Sequence, residues 1–339
     1  MRKVLARWAL LTLALYPAIA VAEPITLKLA FFSSDRSTTY LAAVKPFVDA
    51  VNAEGKGSVE IVLYLGGVLG REIARQPQVV LDGNADIAFV VPGYSPERFS
   101  DNSVVELPGI FRNTREGTLV YTRLIAQQAL KGYGDFFVIG AYVTEPSTIH
   151  SRTPIETIDD LKGKRLRVNN PGEAAALRKL GAIPVQMEIT RIAAEISAGT
   201  IDGAAVSKTP LSDYGIKRVV TNHYLLATSG SPLALVMNRK AFEALPKPAR
   251  DIIRKYSGEW AAARFIESYD RSDELALEQL KSDPKLGLVL PSSADQDRAR
   301  NAFNSVVTEW LGEKPNHPLL LREVESELAK LRSIPATTQ

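Results

Sequence analysis

The same punctuation occurs twice along the chain. Residues 83–86 read Gly-Asn-Ala-Asp and residues 199–202 read Gly-Thr-Ile-Asp; each follows a helix-patterned stretch and precedes a short apolar run, 87–91 in the first case and 203–206 in the second. Glycine fits a helix C-terminus in the left-handed conformation, so each copy reads as helix, G-x-x-D, strand. In front of the first copy, Ile25–Ala30 (ITLKLA) and Val59–Tyr64 (VEIVLY) alternate apolar and polar residues as strands do, with a helix over 40–51 ended by Gly55 and Gly57. In front of the second, DDLKGKRLRVNNP gives a helix end stopped by Gly163, a strand at Arg165–Val168 and a turn into a helix at Gly172. Repeated strand–helix–strand units predict an α/β chain of two lobes of similar design.

Beyond the second unit, Pro232–Asn238 (PLALVMN) reads as a strand after Ser229-Gly230-Ser231, and residues 242–246 begin a helical tail. Ile252, Ile253, Tyr256, Trp260, Ala263, Ile266 and Tyr269 stand at helical spacing, which predicts one helix over 248–281. At 1.5 Å per residue it would run about 50 Å, long enough to strap two lobes together. Residues 292–333 read as two further helices, broken around 312–318. The expected division is lobe I from 23–143 plus about 228–268, and lobe II from 144–227 plus about 269–333.

A length of 339 residues with 45% hydrophobic and 23% charged residues suits two globular domains, each able to bury a core without disulfides, and the chain has no cysteine. Residues 1–22 read as a cleavable export signal: Arg2, Lys3 and Arg7, an apolar run over 8–15, and Ala20-Val21-Ala22 before Glu23. That run is far below the roughly 20 residues a bilayer span requires. The signal carries three of the 41 basic residues and none of the 38 acidic ones, so the remainder balances at 38 against 38. No electrostatic footprint for nucleic acid follows.

The chain has no thiolate, no HExxH, Walker A, GxSxG or GxGxxG pattern, and only three histidines, His150, His223 and His317. Nothing marks a Ser/His/Asp site, and each histidine reads as a surface or packing residue. No metal and no cofactor is expected.

Five segments then carry a resemblance: PIETIDDLKGKRLRV at 154–168, LYLGGVLGRE with the following Gly83 to Asp86 unit, VVELPGIFRN at 104–113, AGTIDGAAV, and VVTNHYL at 219–225. Together and in this order they resemble the substrate-binding proteins of tripartite ATP-independent periplasmic (TRAP) transporters, the DctP-like family. The resemblance implies a periplasmic receptor of two α/β lobes, hinged by crossing strands and a long helix, that closes on an organic acid and delivers it to ion-gradient-driven TRAP membrane permease subunits. It also implies that Arg167, on the strand of the K-x-R-V motif, binds the ligand carboxylate. The residue chemistry agrees, since a planar guanidinium offers two parallel N–H bonds to a carboxylate and open α/β sheets bind ligands at the carboxyl ends of their strands.

Other pocket positions that carry over are Phe32, Ser33 and Ser34 after the first strand, Arg71 and Glu72, then Val91, Gly93 and Tyr94, and from the second half Asn169, Met187, Ile189, Val206 and His223, the last as a hydrogen-bonding lining residue. Two departures bear on the ligand. Members of the family often read D-G-Q-E-N-P where this chain has Asp202-Gly203-Ala204-Ala205-Val206-Ser207, which removes a polar contact. The position often aromatic beneath the ligand falls on Ile189, and the extra arginine of sialic-acid-binding members falls near Glu145 and Pro146. The expected ligand is a mono- or small dicarboxylate with an apolar or aromatic body, sorted by Phe32, Tyr94, Met187, Ile189 and Val206. A receptor reporting to a membrane sensor would use the same pocket; an exported enzyme on this fold would need a nucleophile or general base in the cleft.

Overall fold

The computed structural model describes residues 23–333, so the export segment lies outside the described residues. In chain order the elements are β1 (Ile25–Ala30), α1 (Lys45–Glu54), β2 (Val59–Tyr64), α2 (Gln76–Leu81), β3 (Ile87–Val90), α3 (Thr114–Ala126), β4 (Phe136–Val143), β5 (Thr148–Ser151), β6 (Arg165–Val168), α4 (Pro171–Lys179), β7 (Ile183–Gln186), α5 (Ile192–Ala198) and β8 (Gly203–Val206). They continue with α6 (Pro210–Asp213), β9 (Asn222–Tyr224), β10 (Pro232–Asn238), α7 (Arg239–Ala244), α8 (Lys247–Lys255), α9 (Glu259–Ser282), β11 (Gly287–Val289), α10 (Ser293–Glu313) and α11 (His317–Arg332). Two sheets result, ordered β2-β1-β3-β10-β4 and β11-β9-β5-β8-β6-β7. This is the two-lobe α/β architecture read from the repeated units.

The two G-x-x-D units perform the same task. Gly83 and Gly199 adopt φ of 74° and 75°, ending α2 and α5. The Asp86 carboxylate accepts the N–H of Lys28 in β1 at 2.7 Å, and Asp202 accepts that of Arg165, which opens β6, at 2.7 Å. In return the N–H groups of Asp86 and Asp202 donate to the carbonyls of Lys28 and Arg165 at 2.9 and 2.8 Å. Asp86 thereby fixes β3 beside Lys28, inside β1, and Asp202 fixes β8 beside Arg165, the first residue of β6, which sets the register of both parallel pairs.

Two segments cross between the sheets, 144–147 after β4 and 225–231 before β10. They pair with each other: the N–H groups of Thr144 and Ser147 donate to Ser231 and Ser229 carbonyls at 3.1 and 2.9 Å, and that of Thr228 donates to the Ser147 carbonyl at 2.9 Å. The third link is helical and differs from expectation. The run over 248–281 is two helices, because Gly258 takes φ 62° and its N–H turns to the Ile139 carbonyl at 2.8 Å. The 24 residues of α9 still span about 36 Å. Its Ala261, Phe265 and Tyr269 are buried against the first sheet, and Leu280 is buried with Ile192, Ile196 and Leu211 against the second. The early helix is likewise two-part, a π-helical turn over Tyr40–Val44 leading into α1.

The chain's end also departs from the expected division, which gave all of 269–333 to the second lobe. Ala299, Phe303 and Val306 of α10 pack with the second sheet's Leu166, Val168 and Leu177, but Trp310 and the α11 residues Leu320, Val324 and Leu328 pack with Val120, Tyr121 and Leu124 of α3. The apolar face of α11 fits the outer face of α3, so the chain returns to the first lobe.

Beside Tyr269, Lys208 of the loop after β8 pairs with Asp273 of α9 at 2.6 Å, both nearly buried. Removing one partner of such a pair leaves an uncompensated buried charge. Lys208→Ala is expected to lower unfolding free energy by about 3–5 kcal/mol in urea titration, with the Lys208→Met/Asp273→Leu double variant recovering most of it.

Candidate functional site

Arg167 lies in the middle of β6, paired with Val185 of β7 on one side and Ala204 of β8 on the other. It is the largest fully buried side chain of the described residues, at 2% exposure. Its Nε–H donates to the Met187 carbonyl at 3.0 Å and Nη1 to the Ala205 carbonyl at 3.3 Å. Nη2 donates to Asn169 Oδ1 at 3.2 Å and to the phenol oxygen of Tyr94, which comes from the opposite lobe. Every partner is neutral. Of five N–H donors four are engaged, so the fork expected to be free for a carboxylate retains one N–H, on Nη1.

Tyr94 supplies the second free donor. Its oxygen accepts from Arg167 and from the Ile189 N–H at 2.9 Å, which leaves its own O–H to give. Burial pushes the phenol pKa up against the opposing pull of Arg167, so the proton stays in place. Asn169 is held through its N–H, donated to Glu173 Oε2 at 2.9 Å, while Thr228 Oγ1 donates to Glu173 Oε1 at 2.9 Å. Glu173 therefore ties the ligand-side loop to a crossing strand.

Arg167 and Tyr94 open onto a cavity of about 50 Å³ between the lobes, whose 16 lining residues contain one charged side chain, Arg167 itself. Phe32, Val91, Tyr94, Asn169, Ile189 and Val206, six of the pocket positions named from the sequence, line it. Phe89, Thr144, Ser207, Tyr214, Ser231, Leu233 and Tyr269 line it without having been singled out. Tyr269 was legible only as one member of an apolar helical stripe and Ser231 only as the residue before a strand, while Thr144 carried no signal in the sequence.

The lobes meet closely around this cavity. Asp213 accepts the Thr38 N–H at 2.8 Å, Glu188 accepts that of Ala74 at 2.9 Å, and Gln186 Nε2 donates to the Gly93 carbonyl at 3.3 Å. The structure is that of a closed cleft.

Comparison with known proteins decides what this geometry belongs to. Residues 29–313 match the family model for DctP, the bacterial extracellular solute-binding protein, family 7. The chain belongs to that family. A solute-binding protein, NAS141_03721 of Sulfitobacter sp. strain NAS-14.1, is 23% identical over 270 residues, covering 78% of this chain and 81% of its own. Among solved structures, a TRAP solute-binding protein of Rhodoferax ferrireducens T118 in complex with copurified benzoate superposes with TM-score 0.86 at 25% identity, over 92% of this chain and all of that one. A marine metagenome TRAP protein specific for aromatic acid ligands, in complex with 3-hydroxybenzoate, superposes at 0.84 with 21% identity, over 91% and 99%.

Several expected pocket residues of this family member lie elsewhere. Arg71 and Glu72 are exposed in the turn before α2, and Ser34 is exposed with its carbonyl closing the turn to Ser37 at 3.3 Å. Ser33 gives its carbonyl to the Gly66 N–H at 2.9 Å, and Met187 acts through its carbonyl on Arg167. Gly93 sits at the lobe junction.

His223 stands behind the cavity wall. His150 Nε2 lies 3.1 Å from the Val206 carbonyl, which can only accept, so that nitrogen carries the proton and His150 Nδ1 accepts from His223 Nδ1–H at 2.7 Å. Burial and the neighbouring ring push His150 down to about 3, and burial pushes His223 down to about 4. Both rings are neutral struts under Val206.

One buried acid beside the site does titrate near neutrality. Glu106, of the 3-10 turn over Ser100–Glu106, is 3% exposed, and burial followed by repulsion from Glu173 pushes it up to about 8. His317, Glu309, Glu313 and Lys314 share the neighbouring cavity with it. The folded chain holds this proton up to about pH 8 whereas an unfolded glutamic acid loses it near 4.5, so stability falls as pH rises between those values. Glu106→Gln should remove about 1.4 kcal/mol per pH unit from the slope of unfolding free energy between pH 5 and 8, followed by urea titration.

Proposed function

We propose that this chain is a periplasmic receptor for a monocarboxylate with an aromatic or otherwise apolar body, which it encloses by lobe closure and hands to a TRAP-type permease. The observation that carries the reading is the buried Arg167 whose four partners are all neutral. A guanidinium taken out of water calls for a counter-anion, and a ligand carboxylate beside the free Nη1 N–H and the Tyr94 O–H supplies one.

The rest of the lining argues for the ligand's other end. Phe32, Phe89, Val91, Ile189, Val206 and Leu233 offer apolar surface, with Arg167 the one cation. A second carboxylate would find no second cation there, and the hydroxyls of a sugar acid would meet polar side chains already engaged with the protein, such as the Thr144 hydroxyl on the Glu145 carbonyl and the Tyr269 hydroxyl with Ser207 and Thr209. This favours a monocarboxylate over the small dicarboxylate that the sequence also admits. The benzoate and 3-hydroxybenzoate held by two structural relatives fit the same description. Transport also suits the lining better than catalysis does, since no carboxylate or imidazole among the described residues lines this cavity to act as a general base.

Closure follows from the same contacts. Arg167 belongs to one lobe and Tyr94 to the other, so the paired donor site exists only when the lobes meet, and ligand binding draws the equilibrium to the closed state.

The test is calorimetry and thermal shift with benzoate, 3-hydroxybenzoate, succinate and glucuronate on protein freed of copurified acid. Benzoate-class acids should bind and the other two should not. Arg167→Ala should weaken binding by about 100-fold or more, the loss of one or two charge-assisted hydrogen bonds, and Arg167→Lys by about 10-fold. Affinity retained in Arg167→Ala, or binding confined to glucuronate, would overturn the assignment.

A further inference from the structure

Two carboxylates of the second lobe reach across the cleft to helix starts of the first, and neither of them lines the ligand cavity. Asp213, the last residue of α6, accepts the Thr38 N–H at 2.8 Å, where the chain turns helical ahead of the Tyr40–Val44 turn and α1. Glu188, in the segment after β7, accepts the Ala74 N–H at 2.9 Å, inside the 3-10 turn Ile73–Arg75 that leads into α2. Both helices follow parallel strands, β1 and β2, so their starts lie at the carboxyl ends of the sheet, where the cleft is. The first N–H groups of a helix have no partner within it and carry partial positive charge, so an anionic acceptor suits them.

The Glu188 contact closes a ring of bonds around the anchor. The Ala74 carbonyl accepts the Ser95 hydroxyl at 2.7 Å, and Ser95 follows Tyr94 in the chain. Glu188 in turn precedes Ile189, whose N–H donates to the Tyr94 oxygen at 2.9 Å. From Glu188 through Ala74 and Ser95 to Tyr94, and back through Ile189, each step is a hydrogen bond or a chain link. Tyr94 is thereby held beside its backbone and at its phenol, with the phenol set against Arg167 Nη2. The Asp213 contact joins the neighbours of two more lining residues, since Asp213 precedes Tyr214 and Thr38 precedes Thr39.

We propose that Glu188 and Asp213 are interlobe clamps that hold the cleft closed on its ligand, and that Glu188 is also a positioning residue for Tyr94. Both bonds join opposite lobes, so they exist only in the closed state, and on opening the carboxylates and the N–H groups return to water. The clamps therefore act on release and not on capture. Ligand enters the open cleft at the same rate with or without them, and leaves faster when one is removed. Their effect on benzoate rests on the ligand reading given above; their effect on the lobes does not.

Stopped-flow kinetics with benzoate reads the first effect. Glu188→Ala and Asp213→Ala should each raise the dissociation rate about 10-fold while the association rate stays within about 2-fold of the parent. Glu188→Gln and Asp213→Asn, which keep an acceptor oxygen but lose the charge, should raise it about 3-fold. Damage to the fold would instead lower the fraction of protein that binds. The second effect is read from the separation of the lobes. The chain has no cysteine, so spin labels on Lys56→Cys and Ile183→Cys report it from exposed positions just before β2 and at the start of β7, the strand ends opposite the cleft. The Glu188→Ala/Asp213→Ala variant should show a closed-to-open ratio at least about 10-fold below the parent's. Unchanged dissociation in both alanine variants, or distance distributions that match between parent and double variant with benzoate as without, would overturn the clamps. A parent whose lobe separation does not respond to benzoate would refute the ligand reading, and the ligand-free comparison would then decide the clamps.

Discussion

Arg167 is a charge that cannot be shed, placed where water does not reach it. Arginine stays protonated under all ordinary conditions, so its burial has to be supported by hydrogen bonds and not relieved by deprotonation. The surrounding structure supplies them from separate places: the carbonyl after β7, a carbonyl of β8, the amide two residues on, and a phenol from the other lobe. Those atoms converge only if β6 lies between β7 and β8 in one register. That register is set at the strand's first residue by Asp202, two residues before Arg167 in the ladder, which is why a turn signature in sequence has consequences in the cleft.

The lobes are linked by elements of different stiffness. The two crossing segments pair through a few backbone hydrogen bonds and can bend, whereas α9 is a continuous helix whose one end is packed on the first sheet and whose other end is packed on the second. Tyr269 sits on this helix at the cleft, with its hydroxyl 3.1 Å from Ser207 Oγ and 3.0 Å from Thr209 Oγ1. A change in lobe angle therefore moves Tyr269 against the loop after β8, and the nearby Lys208–Asp273 pair limits how far. Packed interfaces of this kind rearrange between discrete arrangements and do not deform continuously, which is the form the proposed closure would take.

Much of this was legible in the sequence because it rests on local signals. Glycine at a helix end and aspartate three residues later have one mechanical role, and both copies perform it. The break at Gly258 was visible as a residue but was read through, because the apolar stripe continues on either side and periodicity alone does not register a positive φ. The return of α11 to the first lobe was invisible, since an amphipathic helix advertises that it packs but not on what. In the site, strand ends and the residues after them were found, while Phe89, Thr144, Ser231 and Tyr269 were not. These come from the crossing segments, the strap helix and a strand interior, and only the closed arrangement of two lobes brings them to one cavity. His223 lies behind the wall for a related reason: its segment was read as a family motif, but the side of the wall on which its ring lies depends on the neighbouring His150.

The proposed preference for a flat apolar acid draws on more than apolarity, because a connected series of rings lies beside the cavity. Phe32 stacks on Phe31 at 5.3 Å, Phe31 meets Phe89 edge-on at 5.6 Å, and Phe89 lies parallel to Tyr142 at 6.5 Å. Tyr142 stacks on Phe265 at 4.5 Å and Phe265 on Tyr269 at 4.9 Å. The series runs from one cavity-lining ring, Phe32, through the core of the first lobe to another, Tyr269 on the strap helix. Such offset and edge-on pairs each add about 0.5–1.5 kcal/mol beyond their buried area, so the rings form a rigid wall that resists adjusting to a ligand. A flat apolar body can lie against that wall at low entropic cost, whereas a flexible chain would be ordered without matching contacts and a polyhydroxylated one would lose its hydration. On the proposed reading the cleft sets one directional anchor, Arg167 with Tyr94 from the other lobe, against a wall whose lining rings Phe32, Phe89 and Tyr269 are fixed by the rings packed behind them.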